Sequence, residues 1–139
     1  MSTQNTDQSK ILEIIKQYFT NRPDTAVVYL FGSATGGNFT AESDVDIGVY
    51  YKKGQAPDGL ILLGEQQELS DLLNRPVDLV ALNRASPILN YQVLKNGQRV
   101  LCPDERAANE FFVRTLNEYF DLKRNREVIE KSLVKARII

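Results

Sequence analysis

At 139 residues, 42% hydrophobic and 25% charged, the chain has the make-up of one globular domain able to bury roughly 65–70% of its unfolded surface, not of a disordered, collagen-like or coiled-coil chain. A formal net charge of −1 offers no global basic excess for counterion release, so no direct nucleic-acid binding is expected. No histidine and a single cysteine, Cys102, exclude an internal disulfide, the familiar zinc sites and every histidine-based triad, so acid–base or metal chemistry must run on carboxylates.

The start, MSTQNTDQSK, is polar, without the basic flank or apolar stretch of a secretory signal. The apolar runs fall short of the roughly 18–20 residues that span a bilayer, so a cytoplasmic location and no membrane partner are expected. Residues 7–20 place Ile11, Leu12, Ile14, Ile15, Tyr18 and Phe19 at helical spacing, which predicts an amphipathic helix ending near Asn21-Arg22-Pro23. AVVYLF reads as a buried strand stopped by Gly32, and DVDIGVYY as the next strand. Residues 58–74 predict a second helix with an apolar face that includes Leu60, Leu63, Leu69, Leu72 and Leu73; VDLVAL, residues 77–82, predicts a third strand. A short helix over 86–96 has Ser86 and Pro87 at its start and Asn96-Gly97 as its stop, and RVLC follows as a short strand. From Pro103-Asp104 to about Arg137 the pattern is helical, with a break expected near Asn125. No internal repeat or low-complexity segment interrupts this order. The expected fold is α+β: one domain over 1–139, a small mixed sheet flanked by helices, with a C-terminal helix over about 104–137.

The stretch LFGSATGGNFTAESDVDIGVYY, residues 30–51, sets a glycine-rich loop ahead of two carboxylates one residue apart. Side chains alternate along a strand, so Asp44 and Asp46 share a face with Cα atoms about 6.5–7 Å apart, and Val45 faces the core. Two carboxylates aimed at one spot repel unless a cation lies between them, and hard oxygen ligands suit Mg²⁺ or Mn²⁺. Asp78 is a lone carboxylate in an otherwise apolar strand, expected to be covered on both faces. Beside DVDIGVYY it would complete a set of three. Three carboxylates around one or two ions about 3.5–4 Å apart are the arrangement that steadies the attacking and leaving oxygens in nucleotidyl transfer. Gly32 permits a sharp turn and close approach to a ligand, and Ser33 adds a hydroxyl for phosphate oxygens. In that mechanism Asp78 accepts the proton of the attacking hydroxyl and pyrophosphate leaves.

Gly32-Ser33, ten residues, Asp44-x-Asp46 and the later block PVDLVALNRASPILNYQVLKNGQRVL with Asp78 together resemble the DNA polymerase β-like nucleotidyltransferases. Within them the chain resembles the minimal nucleotidyltransferase (MNT) antitoxins of HEPN/MNT toxin–antitoxin pairs. The resemblance implies a nucleotidyltransferase fold and Mg²⁺-dependent transfer of AMP from ATP to a tyrosine of a HEPN RNase toxin, which is silenced in a hetero-oligomeric complex. It further implies that Gly32 and Ser33 bind the nucleotide, Asp44 and Asp46 are metal ligands, and Asp78 is third ligand and base. Many relatives read Gly-Ser-x-Ala-Arg-Gly; here the arginine position is Gly36, which removes a phosphate contact.

Other residues carry two readings each. Ser43 could orient a carboxylate or simply begin a strand, and Tyr50-Tyr51 could stack on a base or be strand-end surface. Cys102 is expected to be a small buried filler with no depressed pKa. Phe111, Phe112, Tyr119 and Phe120 are expected to pack on the sheet. Beyond Asp121, six Lys or Arg residues accompany Val128, Ile129, Leu133, Ile138 and Ile139, either a basic end favoured by the helix dipole or a surface that docks a partner. Two function classes remain: an enzyme, for which a buried Asp78 argues, and a binding module that neutralises its toxin by occlusion alone. Transfer to a small molecule is a third, weaker option.

Overall fold

The computed structural model describes residues 3–35, 40 and 43–138, and the side chains of 8–33, 40 and 43–135. Along the chain run α1 (Thr3–Thr20), β1 (Thr25–Phe31), a single 3₁₀ turn (Gly32–Thr35), β2 (Val45–Tyr51), α2 (Gly59–Leu73), β3 (Val77–Ala81), α3 (Pro87–Asn96), β4 (Gln98–Leu101) and α4 (Glu105–Ile138). The four strands make one mixed sheet in the order β3-β2-β1-β4. β1 pairs antiparallel with β2 and β4, and β2 pairs parallel with β3. This is the expected α+β architecture, and each expected element is present; α1 begins about one turn earlier than its apolar spacing suggested.

The period-two alternation of the strands sorts their side chains onto two covered faces. Val28 and Leu30 of β1 and Val45, Ile47, Val49 and Tyr51 of β2 pack with Ile11, Ile15 and Phe19 of α1 and Leu69 and Leu73 of α2. Val27 and Tyr29 of β1 point the other way, joining Leu82, Val93 of α3 and Ala108 and Phe111 of α4. Asp46, flanked by Val45 and Ile47 of the first face, therefore lies on the α3/α4 side.

Local chemistry sets the helix ends. Asp58 accepts from the Ile61 N–H at 2.9 Å to start α2, and Asn74, at φ 54°, ends it in the left-handed conformation. Ser86 caps α3 with Pro87 in its first turn, as the Ser-Pro pair suggested. Gly97 stops α3 for another reason than a left-handed cap: its φ is −79°, but a Cβ there would collide with the Val93 carbonyl and press on that of Leu30.

Four expectations change. α4 is continuous through Asn125, since no Gly or Pro occurs between Glu105 and Ile138 to interrupt it. β3 is an edge strand, so Asp78 is exposed. Leu60, Leu63 and Leu72 of α2 are exposed, leaving Leu69 and Leu73 as its buried contacts. Phe111 alone of the aromatic stripe is fully buried, while Phe112 and Phe120 are each 48% exposed and Tyr119 stacks on Tyr91 with centroids 3.8 Å apart.

Candidate active site

Asp46 and Asp78 are register partners in the parallel β2–β3 pair, so their Cα atoms are about 4.8 Å apart and their side chains leave the same face of the sheet. The sequence left open whether β3 lies beside β2; it does. On the other side, Asp46 pairs with Phe31, the last residue of β1. There the chain turns through Gly32 at φ 71°, and a Cβ at that position would occupy the space of the Asp46 carboxylate. Glycine is thus required twice, by the backbone angle and by the close approach.

Asp44 precedes β2 and is exposed. The Ser33 hydroxyl donates to the Asp44 carbonyl at 3.4 Å, a long bond that tethers the turn to the start of the carboxylate strand. Ser43 serves the loop itself, accepting from the Thr40 N–H at 2.9 Å. Gly36, at the position for which the family resemblance implied an arginine, lies outside the described residues.

Burial first, then the charges of Asp78 and Asp44, holds the Asp46 carboxyl above its ordinary range. Among the described residues no cationic side chain contributes to this balance. The donor set is all oxygen and negative, which fits a small hard divalent cation. Such ions commonly take one or two protein carboxylates and complete their shell with water and substrate phosphates. Among the described residues no three acidic, histidine or cysteine side chains form a ready-made metal group; the strand register brings Asp46 and Asp78 together, and Asp44 precedes the strand. Asp78 lies exposed at the sheet edge, so the case for an enzyme based on its burial falls away; its pairing with Asp46 takes that place.

Phe31, Gly32 and Asp46 border an open cavity of about 420 Å³ whose far wall is α3, through Leu89, Gln92 and Asn96. The α3 residues were missed in the sequence, where Gln92 and Asn96 look like ordinary solvated helix positions. Their spacing of four, which stacks them on one helix face, was the sole signal. Neither reading of Tyr50-Tyr51 holds: Tyr51 is fully buried among the α1/α2 contacts and Tyr50 packs on Phe111 at 4.7 Å. Cys102 is half-buried, and burial pushes its thiol pKa up, as expected of an unreactive cysteine.

A turn that brings backbone against a carboxylate pair at the end of a small mixed sheet is the arrangement expected of a nucleotidyltransferase, and the family comparison agrees. The polymerase beta nucleotidyltransferase family matches residues 13–106, a span containing Gly32, Ser33 and all three aspartates, and the chain belongs to it. Over 126 residues it is 31% identical to protein adenylyltransferase MntA of Shewanella oneidensis, covering 91% of this chain and 86% of that protein. Among solved structures it is similar to a chain of a toxin–antitoxin complex with AMP-PNP, at 28% identity and a TM-score of 0.70, over 96% of this chain and 99% of the other. It is also similar to a chain of the tri-AMPylated Shewanella oneidensis HEPN toxin in complex with MNT antitoxin. That match has 29% identity and a TM-score of 0.70, over 95% of this chain and 99% of the other.

Proposed function

We propose that the chain is an MNT-type antitoxin that transfers AMP from ATP to a hydroxyl of a HEPN-type toxin, most simply a tyrosine, and so neutralises it. The observation that carries this reading is the side-by-side register of Asp46 and Asp78 against the Gly32 turn, supported by relatives that carry or form protein-linked AMP. Asp44, Asp46 and Asp78 would hold Mg²⁺, or Mn²⁺, which when bound neutralises phosphate charge. Gly32 and Ser33 seat the phosphates against the turn. The acceptor oxygen forms a bond to the α-phosphorus, the bond from that phosphorus to pyrophosphate breaks, and the acceptor's proton passes to the Asp78 carboxylate. The exposure of Asp78 at the sheet edge suits this role, since a protein hydroxyl can reach it from outside.

The outer half of α4 is the surface we assign to the toxin. Val128, Ile129, Leu133 and Val134 are each 55–59% exposed, and the similar antitoxins are found in complexes with their toxins. A second reading, neutralisation by binding alone, draws on this same helix.

Intact-mass spectrometry of the protein encoded beside this one, incubated with the chain, ATP and Mg²⁺, separates the two. Increments of one or more AMP units that vanish with the Asp44→Asn/Asp46→Asn double variant are expected. A complex that forms equally well with the double variant, and no increment with the parent, would make the chain an antitoxin by occlusion. Increments on small acceptors alone would make it a small-molecule transferase.

A further inference from the structure

We propose that Gln92 and Asn96 select the nucleotide by reading its base, a purine seated between Phe31 and Leu89; this rests on the nucleotidyl-transfer reading and names what that site recognises. The cavity bounded by Phe31, Gly32, Asp46, Leu89, Gln92 and Asn96 measures about 420 Å³, within the roughly 300–1,000 Å³ range of small-molecule pockets. Its Gly32–Asp46 end is where the phosphates and carboxylates meet. The α3 end is chemically different.

Among the described residues nothing cationic lines the cavity. Asn96 is the last residue of α3, and Lys95 beside it in the last turn offsets the partial negative charge of the helix C-terminus without lining the cavity. The α3 wall itself is neutral, with one apolar and two amide side chains, so the uncharged part of the nucleotide belongs at this end. The half-buried side chains of Phe31 and Leu89 offer apolar walls for a flat ring. Gln92 and Asn96, one turn apart on the same face, are exposed, and their side chains make no hydrogen bond among the described residues.

Each carboxamide presents one donor group and one acceptor, the complement of the N6–H and N7 edge of adenine. A tyrosine side chain in the same place would offer one hydroxyl and leave an amide without a partner. The position of α3 is held firmly: Gly97 abuts the Leu30 carbonyl, and Leu30 pairs with Gln98 immediately beyond. The two amides thus keep a set distance from the Gly32 turn.

The test is equilibrium binding of ATP, GTP and inorganic tripolyphosphate to the full chain with Mg²⁺, for the parent, Gln92→Leu and Asn96→Leu. Each substitution should weaken ATP about tenfold or more, narrow the preference for ATP over GTP, and leave tripolyphosphate unchanged within twofold. Circular dichroism and thermal melting verify that the variants remain folded. ATP affinity equal to that of the parent, or an equal loss for tripolyphosphate, would overturn the base assignment while leaving nucleotidyl transfer standing. Unchanged ATP binding with a raised KM for the protein acceptor would overturn it too, assigning the cavity to the acceptor. A parent that binds neither ATP nor tripolyphosphate would sink both readings.

Discussion

At residue 32 the backbone angle and the neighbouring carboxylate make the same demand. Gly32→Ala should cost about 1–2 kcal/mol from the left-handed φ alone, measured by urea unfolding. It should also push Asp46 aside, and a displacement near 1 Å at a reacting site costs on the order of 10²-fold in turnover. Rates close to the parent's would show that Asp46 is not placed by this contact. The acidic members of the candidate site were legible in the sequence because a carboxylate stands out in an apolar strand, as Asp46 and Asp78 do. Gln92 and Asn96 were not, because an amide on an exposed helix face looks the same whether it meets solvent or lines a cavity. Tyr50 and Tyr51 misled for the opposite reason: an aromatic pair at a strand end suggests a ligand, but alternation puts each ring against a different layer of helices.

Among the elements, α4 extends beyond anything in the described structure that could bury its outer half. Its length is supported locally by Arg106–Glu110 and Arg114–Glu118 pairs at 3.7 and 3.6 Å and by Asp121–Arg124 at 2.9 Å, each worth about 0.2–0.5 kcal/mol. Ile129→Glu with Leu133→Glu should therefore leave thermal stability almost unchanged, within about 0.5 kcal/mol per site. The same pair of changes should weaken the complex with the proposed HEPN-type partner by tenfold or more. Isothermal titration of the two proteins checks this, and unaltered affinity would move the docking surface elsewhere. β3 illustrates how an element's setting escapes its sequence. VDLVA has the make-up of a covered strand, yet it closes the sheet as an edge, where the Gln66 side chain accepts from the Leu79 N–H at 2.9 Å and so occupies one otherwise unpaired donor.

Over the whole molecule, the stability balance includes a buried carboxyl remote from the site. Glu65 of α2 meets Arg22 at 3.2 Å with its side chain 10% exposed. Burial outweighs that partner and holds its pKa above the usual carboxylate range. A carboxyl that binds its proton more tightly when folded adds stability below its ordinary pKa and loses it as pH rises through the raised folded value. The Tm of the parent should thus fall relative to that of Glu65→Gln over this window, and parallel Tm curves would refute the assignment. The order of helices and strands, their caps, and the identity of the acidic residues were determined by the sequence itself. Apolar periodicity, Ser-Pro and Gly signals and misplaced carboxylates act within a few residues of one another, so they can be read locally. The pairing of Asp46 with Asp78, the edge position of β3, the fit of Gly32 against Asp46, and the cavity wall supplied by α3 were decided only by the tertiary structure. Each depends on residues far apart in the chain, and strand register and helix docking bring them together through burial summed over the entire core.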